Sequence, residues 1–306
     1  MGKKVLVIGS LNMDLVVEMK ELPLNGETVL GDKITYIPGG KGANQSYAIA
    51  SAGGNVKMLG CVGSDENGEK LLRNLEQAGV DVSDIKKSEG TPTGLAIIGV
   101  SQKGDNSIIV VPGANSLFDL KYLRDKEKYI QESDYVILQM EIPQETIYEA
   151  ISIAKKYGKT VILNPAPAPE EIPDRILQMV DYITPNEKEI MTISKQEGDT
   201  FEEIEAAAKT LIARGVKNVL VTLGSHGAMH VTRETCQIYP GRKVEAVDTT
   251  AAGDCFNGAF VTGLSENMSI EKAIRFANVF SSVAVTRKGA QSSIPKREEV
   301  NRIFCA

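Results

Sequence analysis

Short continuous apolar runs at 5–8, 56–61, 134–139, 160–163, 181–184 and 218–223 recur along the chain. Runs of this kind fit strands buried on both faces, as in a parallel sheet. Stretches with helical character lie near 42–52, 65–78, 119–130, 143–157, 200–214, 254–265 and 269–287. Their alternation with the apolar runs predicts βαβ units and an α/β chain. Thr200 with Glu203 reads as a capping box, and Gly158 and Gly215 stand where helices should stop. Three segments break the rhythm: 13–19, 28–37 and 93–111 are β-rich, polar-interleaved and carry turn sequences such as K-G-D-N at 103–106. These predict antiparallel ribbons set apart from the main sheet. A further strand-like run stops at Val247, and a helix-like run starts near Gly253. With no internal repeat, low-complexity tract or linker-like shift, 1–306 reads as a single domain, with ribbons over about 12–38 and 91–111 as a lid.

Composition narrows the function classes. A chain of 306 residues can bury a sizeable core, and 42% hydrophobic with 24% charged residues is ordinary for a globular protein. A net charge of −6 and a pI near 5.3 remove the electrostatic basis for nucleic-acid binding, and no basic run suggests a membrane surface. An anionic ligand must therefore be held locally. Cys61, Cys236, Cys255 and Cys305 are far apart without a C-x-x-C pair, and only His226 and His230 could join them, which argues against zinc and a disulfide framework. The apolar core near the N-terminus spans only 5–8, too short for a signal segment, and no run approaches a membrane span. The expected compartment is reducing and cytoplasmic.

The chemistry converges on V-D-T-T-A-A-G-D-C-F-N-G-A-F at 247–260. Ala251, Ala252 and Gly253 carry almost no side chain, so an anion can approach the N–H groups of a helix start. Asp254 would compete with a bound phosphate there. Either it serves the helix end, or it takes a proton from a reacting hydroxyl. In open α/β sheets ligands collect beyond the carboxyl ends of the strands. Asn12 and Asp14 follow the first run, Asn44 follows a ribbon, and Glu141 and N-P-A-P-A at 164–168 follow two others. Two carboxamides and two carboxylates can hold the hydroxyls of a neutral polyol. G-G-K-G-A-N-Q at 39–45 fails as a Walker loop, because Lys41 is followed by Gly42. It fails as a dinucleotide fingerprint, because Gln45 stands where the last Gly is needed. Gly39 and Gly40 read as a hinge and close backbone approach, or as a turn opening the next helix.

The same stretch together with D-T-T-A-A-G-D at 248–254 resembles the two signatures of the ribokinase-like (PfkB) carbohydrate kinase family, and the likeness covers the whole chain. Matching pieces are N-M-D at 12–14, L-N-P-A-P-A at 163–168, T-P-N-E at 184–187, T-L-G-S at 222–225 and V-T-R-K-G-A-Q at 285–291. The resemblance implies a three-layer αβα fold with a small β-sheet lid and a homodimer formed through that lid. It implies ATP-dependent phosphorylation of a sugar's terminal hydroxyl, O5 of D-ribose foremost. The alternatives are 2-deoxyribose, another pentose or hexose, or a nucleoside. Asp254 would be the general base, and the backbone of Ala251, Ala252, Gly253 and Asp254 the anion hole. Asn12, Met13, Asp14, Gly40, Lys41, Gly42, Ala43, Asn44 and Glu141 would bind the sugar. Asn186, Thr222, Leu223, Gly224, Ser225, His226, Gly227, Gly253 and Asn278 would bind the nucleotide, though His226 stands where a relative carries Arg. Asn186 and Glu189 would lie near Mg²⁺. Asp248, Thr250, Ala284, Arg287, Gly289 and Ser293 would hold an activating K⁺.

Overall fold

The computed structural model describes residues 2–304, so Cys305 lies outside the described residues. Its strands are β1 Lys4–Ile8, β2 Asn12–Met19, β3 Gly31–Gly39, β4 Asn55–Leu59, β5 Cys61–Gly63, β6 Lys86–Ser88, β7 Gly94–Ser101, β8 Asn106–Val111, β9 Tyr135–Leu138, β10 Thr160–Leu163, β11 Tyr182–Ile183, β12 Asn218–Thr222, β13 Ala228–Val231 and β14 Cys236–Tyr239. Eight of them form the central sheet in the order β14-β13-β12-β11-β10-β9-β1-β4. Pairing is parallel from β4 to β12 and antiparallel at β13 and β14.

The apolar runs are buried on both faces because strand side chains alternate. Val5, Val7, Ile137, Ile162 and Leu220 meet Ile49, Phe256, Phe260, Phe276 and Phe280 on one side. Leu6, Ile8, Val136, Leu138, Val161, Leu163, Val219 and Val221 meet Ile147, Ile151, Ile190 and Leu211 on the other. Two cores separated by one sheet make the three-layer αβα arrangement. Parallel pairing also sends the carboxyl ends of β1, β9, β10, β11 and β12 to one edge, where the polar residues collected from the sequence follow them.

The polar-interleaved segments form a separate four-stranded sheet, order β3-β2-β7-β8. The K-G-D-N turn joins β7 to β8, with Gly104 at φ 88°, a conformation that favours glycine. The capping box at Thr200 and Glu203 is present, and Gly158 and Gly215 follow their helices at φ 66° and 110°.

Three features depart from the sequence reading. No strand precedes the 252 helix: Val247 lies in a loop, 55% exposed, its N–H donating to the Val285 carbonyl at 2.8 Å. The K-V-E-A-V stretch alternates like a strand but has no partner strand to pair with. The stretch expected as one helix over 119–130 is two, Leu120–Asp125 and Glu127–Glu132, broken at Lys126 (φ −106°, ψ 7°). Helices Glu187–Ser194 and Arg297–Phe304, and the antiparallel pair β13–β14, were not anticipated. Among the described residues no helix is long and apolar enough to cross a membrane.

Candidate active site

Helix Ala252–Ser265 opens without a side-chain cap. Its N-cap, Ala251, holds φ 58°, which costs a non-glycine residue roughly 1 kcal/mol or more. The N–H groups of Ala251, Gly253 and Asp254 have no acceptor among the described residues, whereas that of Ala252 reaches the Thr249 carbonyl at 3.2 Å. Three free donors at a positive helix end, with no side chain larger than a methyl on 251–253, are suited to an anion.

Asp254 does not serve that helix end. Its Oδ2 accepts from Asn44 Nδ2 at 3.0 Å and its Oδ1 from Gln45 Nε2 at 2.9 Å. Both donors lie on helix Lys41–Ser51, which packs tightly on the Asp254 helix: a Cβ added at Gly258 would stand 2.5 Å from Ala48 Cβ. Burial raises the Asp254 pKa, against the pull of Lys41, Asn44 and Gln45, and Glu141 adds to the rise. Burial likewise pulls the Lys41 ammonium down, but Asp254, Glu141, Glu189 and Asp14 more than offset it, and its pKa is raised. Asp14 is pushed up to about 7, first by burial and then by Glu141 and Asp254. Four carboxylates and one ammonium thus share one electrostatic field.

The strand ends build the rest. Glu141, after β9, accepts at Oε2 from Ser10 Oγ (2.5 Å) and from the Lys41 N–H (3.0 Å). Asn12 Oδ1 accepts from Asn115 Nδ2 at 2.7 Å, and Asn115 Oδ1 takes the Leu11 N–H. Gly40, at φ 88°, brings the chain so near β2 that a Cβ would lie 2.6 Å from Asn12 N; one at Gly39 would lie 2.2 Å from an Asp14 oxygen. Gly42 and Ala43 direct their N–H groups to Ser10, and Met13 is 1% exposed in the core. These three therefore position the neighbouring polar groups and show no side chain to a ligand.

Two clefts meet at the loop before Ala252, sharing Ala246 and Thr249. The first, about 670 Å³, is lined by Asn186, Thr222, Gly224, Ser225, Gly227, Gly253 and Asn278 of the expected nucleotide set. Sequence reasoning missed its other walls: apolar Val244, Phe256 and Val285, and basic Lys188, Arg242 and Lys243. Two of the expected residues are not on its surface. Leu223 is 1% exposed, and the His226 ring stands edge-on to Phe201, centroids 5.4 Å apart. The second cleft, about 870 Å³, lies between the small sheet and the 246–250 and 288–292 segments. Of the expected sugar residues only Asp14 lines it; Lys41 and Asn44 hydrogen-bond directly to Glu141 and Asp254, whereas Asn12 pairs with Asn115 and Met13 lies in the core.

Asn186 and Glu189 form a reciprocal capping box, so their N-x-x-E spacing has a helix-start explanation. Burial nevertheless raises the Glu189 pKa, and the Lys41 and Asp254 charges act on it. Asp248 accepts from Thr250 N (2.9 Å) and Gly289 N (2.8 Å), joining two loops. The Arg287 side chain pairs with Glu299, and its N–H donates to the Ala284 carbonyl at 3.1 Å. Among the described residues no cluster of His, Cys, Asp and Glu could hold a metal by side chains alone.

Comparison with known proteins agrees with this geometry. The model of the pfkB family carbohydrate kinases matches residues 2–297. The chain is 40% identical to the ribokinase of Haemophilus influenzae over 299 residues, covering 98% of this chain and 97% of the relative. It is 37% identical to the deoxyribokinase of Salmonella typhimurium over 295 residues, 96% of each. A solved Arabidopsis thaliana ribokinase, complexed with ribose and ATP, superposes with a TM-score of 0.92 at 32% identity, covering 99% of both chains. The chain belongs to the pfkB family of carbohydrate kinases. It is a phosphotransferase of the ribokinase-like fold, and the resemblance read from 39–45 and 248–254 is borne out.

Proposed function

We propose that this enzyme transfers the γ-phosphoryl group of ATP to the O5 hydroxyl of D-ribose. The observation that carries the reading is Asp254, a carboxylate released from capping and fixed beside three unused N–H donors where two clefts meet. Relatives acting on ribose, at up to 42% identity, support the choice of sugar, as does the ribose and ATP complex of the Arabidopsis neighbour.

In the step, the sugar hydroxyl gives its proton to Asp254 as its oxygen bonds the γ-phosphorus, and the bond to the ADP oxygen breaks. The N–H groups of Ala251, Gly253 and Asp254 meet the charge on the transferring group. Lys41 offsets the carboxylates around it. Asn12, Asp14, Asn44 and Glu141 hold the remaining hydroxyls, and the cleft lined by Thr222, Gly224, Ser225, Gly227 and Asn278 takes ATP.

Asn186 and Glu189 fit a role near Mg²⁺: Glu189 keeps Oε1 outside the capping box as an oxygen ligand, Asn186 keeps Nδ2 to donate to a phosphate oxygen or a metal-bound water, and a cation that retains several waters needs few protein ligands. Mg²⁺ when bound neutralises phosphate charge. The 248–250 and 284–293 segments fit K⁺ because their donors are oxygens, the Asp248 carboxylate and backbone carbonyls at Thr250, Ala284, Arg287, Gly289 and Ser293. Hydrogen bonds from Thr250 and Gly289 outweigh burial and hold the Asp248 carboxyl below the usual carboxylate range, so it stays charged. The exposed small sheet supports a homodimer with the sheet as lid over a single 1–306 domain. Unpaired Cys61, Cys236 and Cys255 support a reducing, cytoplasmic setting.

The test is ADP release with ATP, Mg²⁺ and a panel of sugars and nucleosides, in potassium and in sodium salts at constant ionic strength. D-Ribose should give the highest kcat/KM, chelation should abolish turnover, and K⁺ should raise the rate severalfold over Na⁺. Faster turnover of 2-deoxyribose would replace the substrate, and equal rates in the two salts would remove the K⁺ site.

A further inference from the structure

Gln45 belongs to neither the polyol set nor the anion hole, yet it is wholly buried and makes three hydrogen bonds. Their direction is set from outside. The Thr184 carbonyl can only accept, so Asn164 must turn its amide nitrogen to it (3.0 Å) and its oxygen the other way. That oxygen needs a donor, and Gln45 Nε2 supplies it at 3.1 Å. The second hydrogen of Nε2 goes to Asp254 Oδ1 at 2.9 Å, while Gln45 Oε1 accepts from Gln139 Nε2 at 2.7 Å. Gln139 achieves this with its own Oε1 unpartnered in the interior. Inverting the Gln45 amide would break all three bonds and set oxygen against oxygen at Asn164, Asp254 and nitrogen against nitrogen at Gln139.

A second chain ends on the other carboxylate oxygen. Asn74 donates to Gln291 Oε1, Gln291 to Asn44 Oδ1 at 3.0 Å, and Asn44 to Asp254 Oδ2. Both carboxamide chains present N–H groups, which favour the ionised carboxylate over the acid. This matters because the groups facing Asp254 are of both signs: Lys41 on the Gln45 helix, Glu141 beyond β9, Asp14 on β2, and Glu189 on the helix after β11.

We propose that Gln45 is a positioning residue for phosphoryl transfer: latched by Asn164 and Gln139, it holds an N–H on Asp254 Oδ1 and so keeps the base ionised and its plane fixed. The inference rests on the assignment of Asp254 as base. A buried polar chain in which every Gln45 bond forms in only one amide orientation defines one geometry, and an apolar residue of the same size would remove that definition while keeping the packing.

Gln45→Met and Gln139→Met are measured for kcat and for both KM values across pH 5.5–9, beside wild type and Asp254→Asn. Gln45→Met should lose roughly tenfold in kcat at pH 7 with both KM values within about twofold. The loss should shrink as pH rises, because the acid limb moves to higher pH when a donor to the carboxylate is removed. Gln139→Met unlatches Gln45 and should move the same limb in the same direction, by less. It carries the test alone if Gln45→Met does not fold. A wild-type acid limb and kcat in these variants, with Asp254→Asn inactive, would overturn the positioning role and leave the base assignment standing. A loss equal at every pH with raised KM would overturn it too, as packing damage. Wild-type turnover by Asp254→Asn would remove the base assignment, and the inference with it.

Discussion

Two adjacent glycines illustrate the residue scale. From sequence Gly39 and Gly40 were read together, as a hinge with close backbone approach or as a turn; in the fold each has its own reason, room for the Asp14 carboxylate at Gly39, and a positive φ with contact to the Asn12 backbone at Gly40. Asp14 carries a testable consequence. Its folded pKa, about 7, lies above the ordinary aspartate value of 3.8, so between these pH values the folded state holds a proton that the unfolded chain has released. Below pH 4 both states are protonated and nothing is at stake. Between pH 4 and 7 stability falls, and above 7 the full cost of the buried charge is present. In the ligand-free enzyme Asp14→Asn should therefore raise the melting temperature at pH 8 by roughly 3 °C or more and leave it nearly unchanged at pH 4. A variant equally stabilised at both pH values, or destabilised at pH 8, would contradict the Asp14 environment described here. The residues around Asp254 were only half legible. Asn44 was found because it follows a ribbon, but Gln45 was noticed only as a missing glycine. Gln139 sat inside the apolar run at 134–139, where a lone carboxamide in a buried strand was the signal to follow.

At the scale of elements, periodicity was a good guide wherever a segment packs on one known kind of neighbour. The parallel strands and the large helices have such neighbours, and their apolar patterns were sufficient. Two kinds of segment were missed: β13 and β14, short strands that extend the sheet from β12 by successive antiparallel turns, and the 240–251 loop, which is pinned by the sequence-distant end of helix Ile270–Ala284. The small sheet was legible because its strands alternate, and its apolar positions Val17, Ile97 and Ile109 marked a face in need of a cover. Every residue of β8 is exposed, and Ile34, Ile108 and Ile109 are 54%, 56% and 60% accessible. Of the three marked positions, Ile109 is exposed while Val17 and Ile97 are half-buried. Apolar side chains on an edge strand are a surface that needs a cover, and in the proposed homodimer two copies related by a twofold axis would provide an isologous one. Sedimentation or light scattering at micromolar protein should give twice the 33.0 kDa chain mass, and Ile109→Asp should shift it to the monomer. A monomeric wild type would end the dimer reading.

For the whole molecule, the net charge of −6 says little about an enzyme that handles anions. In the proposed function phosphate recognition is local: the helix start, Lys188, Arg242 and Lys243 line the first cleft, beside a separate cluster of carboxylates and carboxamides. The two regions come from opposite ends of the chain and meet because Gly258 lets two helices pack closely enough for Asn44 and Gln45 to reach Asp254. Everything in the functional account passes through that carboxylate. Asp254→Asn keeps its shape and removes its basicity. The variant relieves a buried charge and leaves one of two donors facing an amide, effects of opposite sign, so its melting temperature should stay within a few degrees of wild type. With the fold intact and ATP and ribose still bound, transfer to the sugar should fall by roughly 10²–10⁴-fold, the share of a positioned general base. A folded Asp254→Asn enzyme that phosphorylates ribose at close to the wild-type rate would contradict the account.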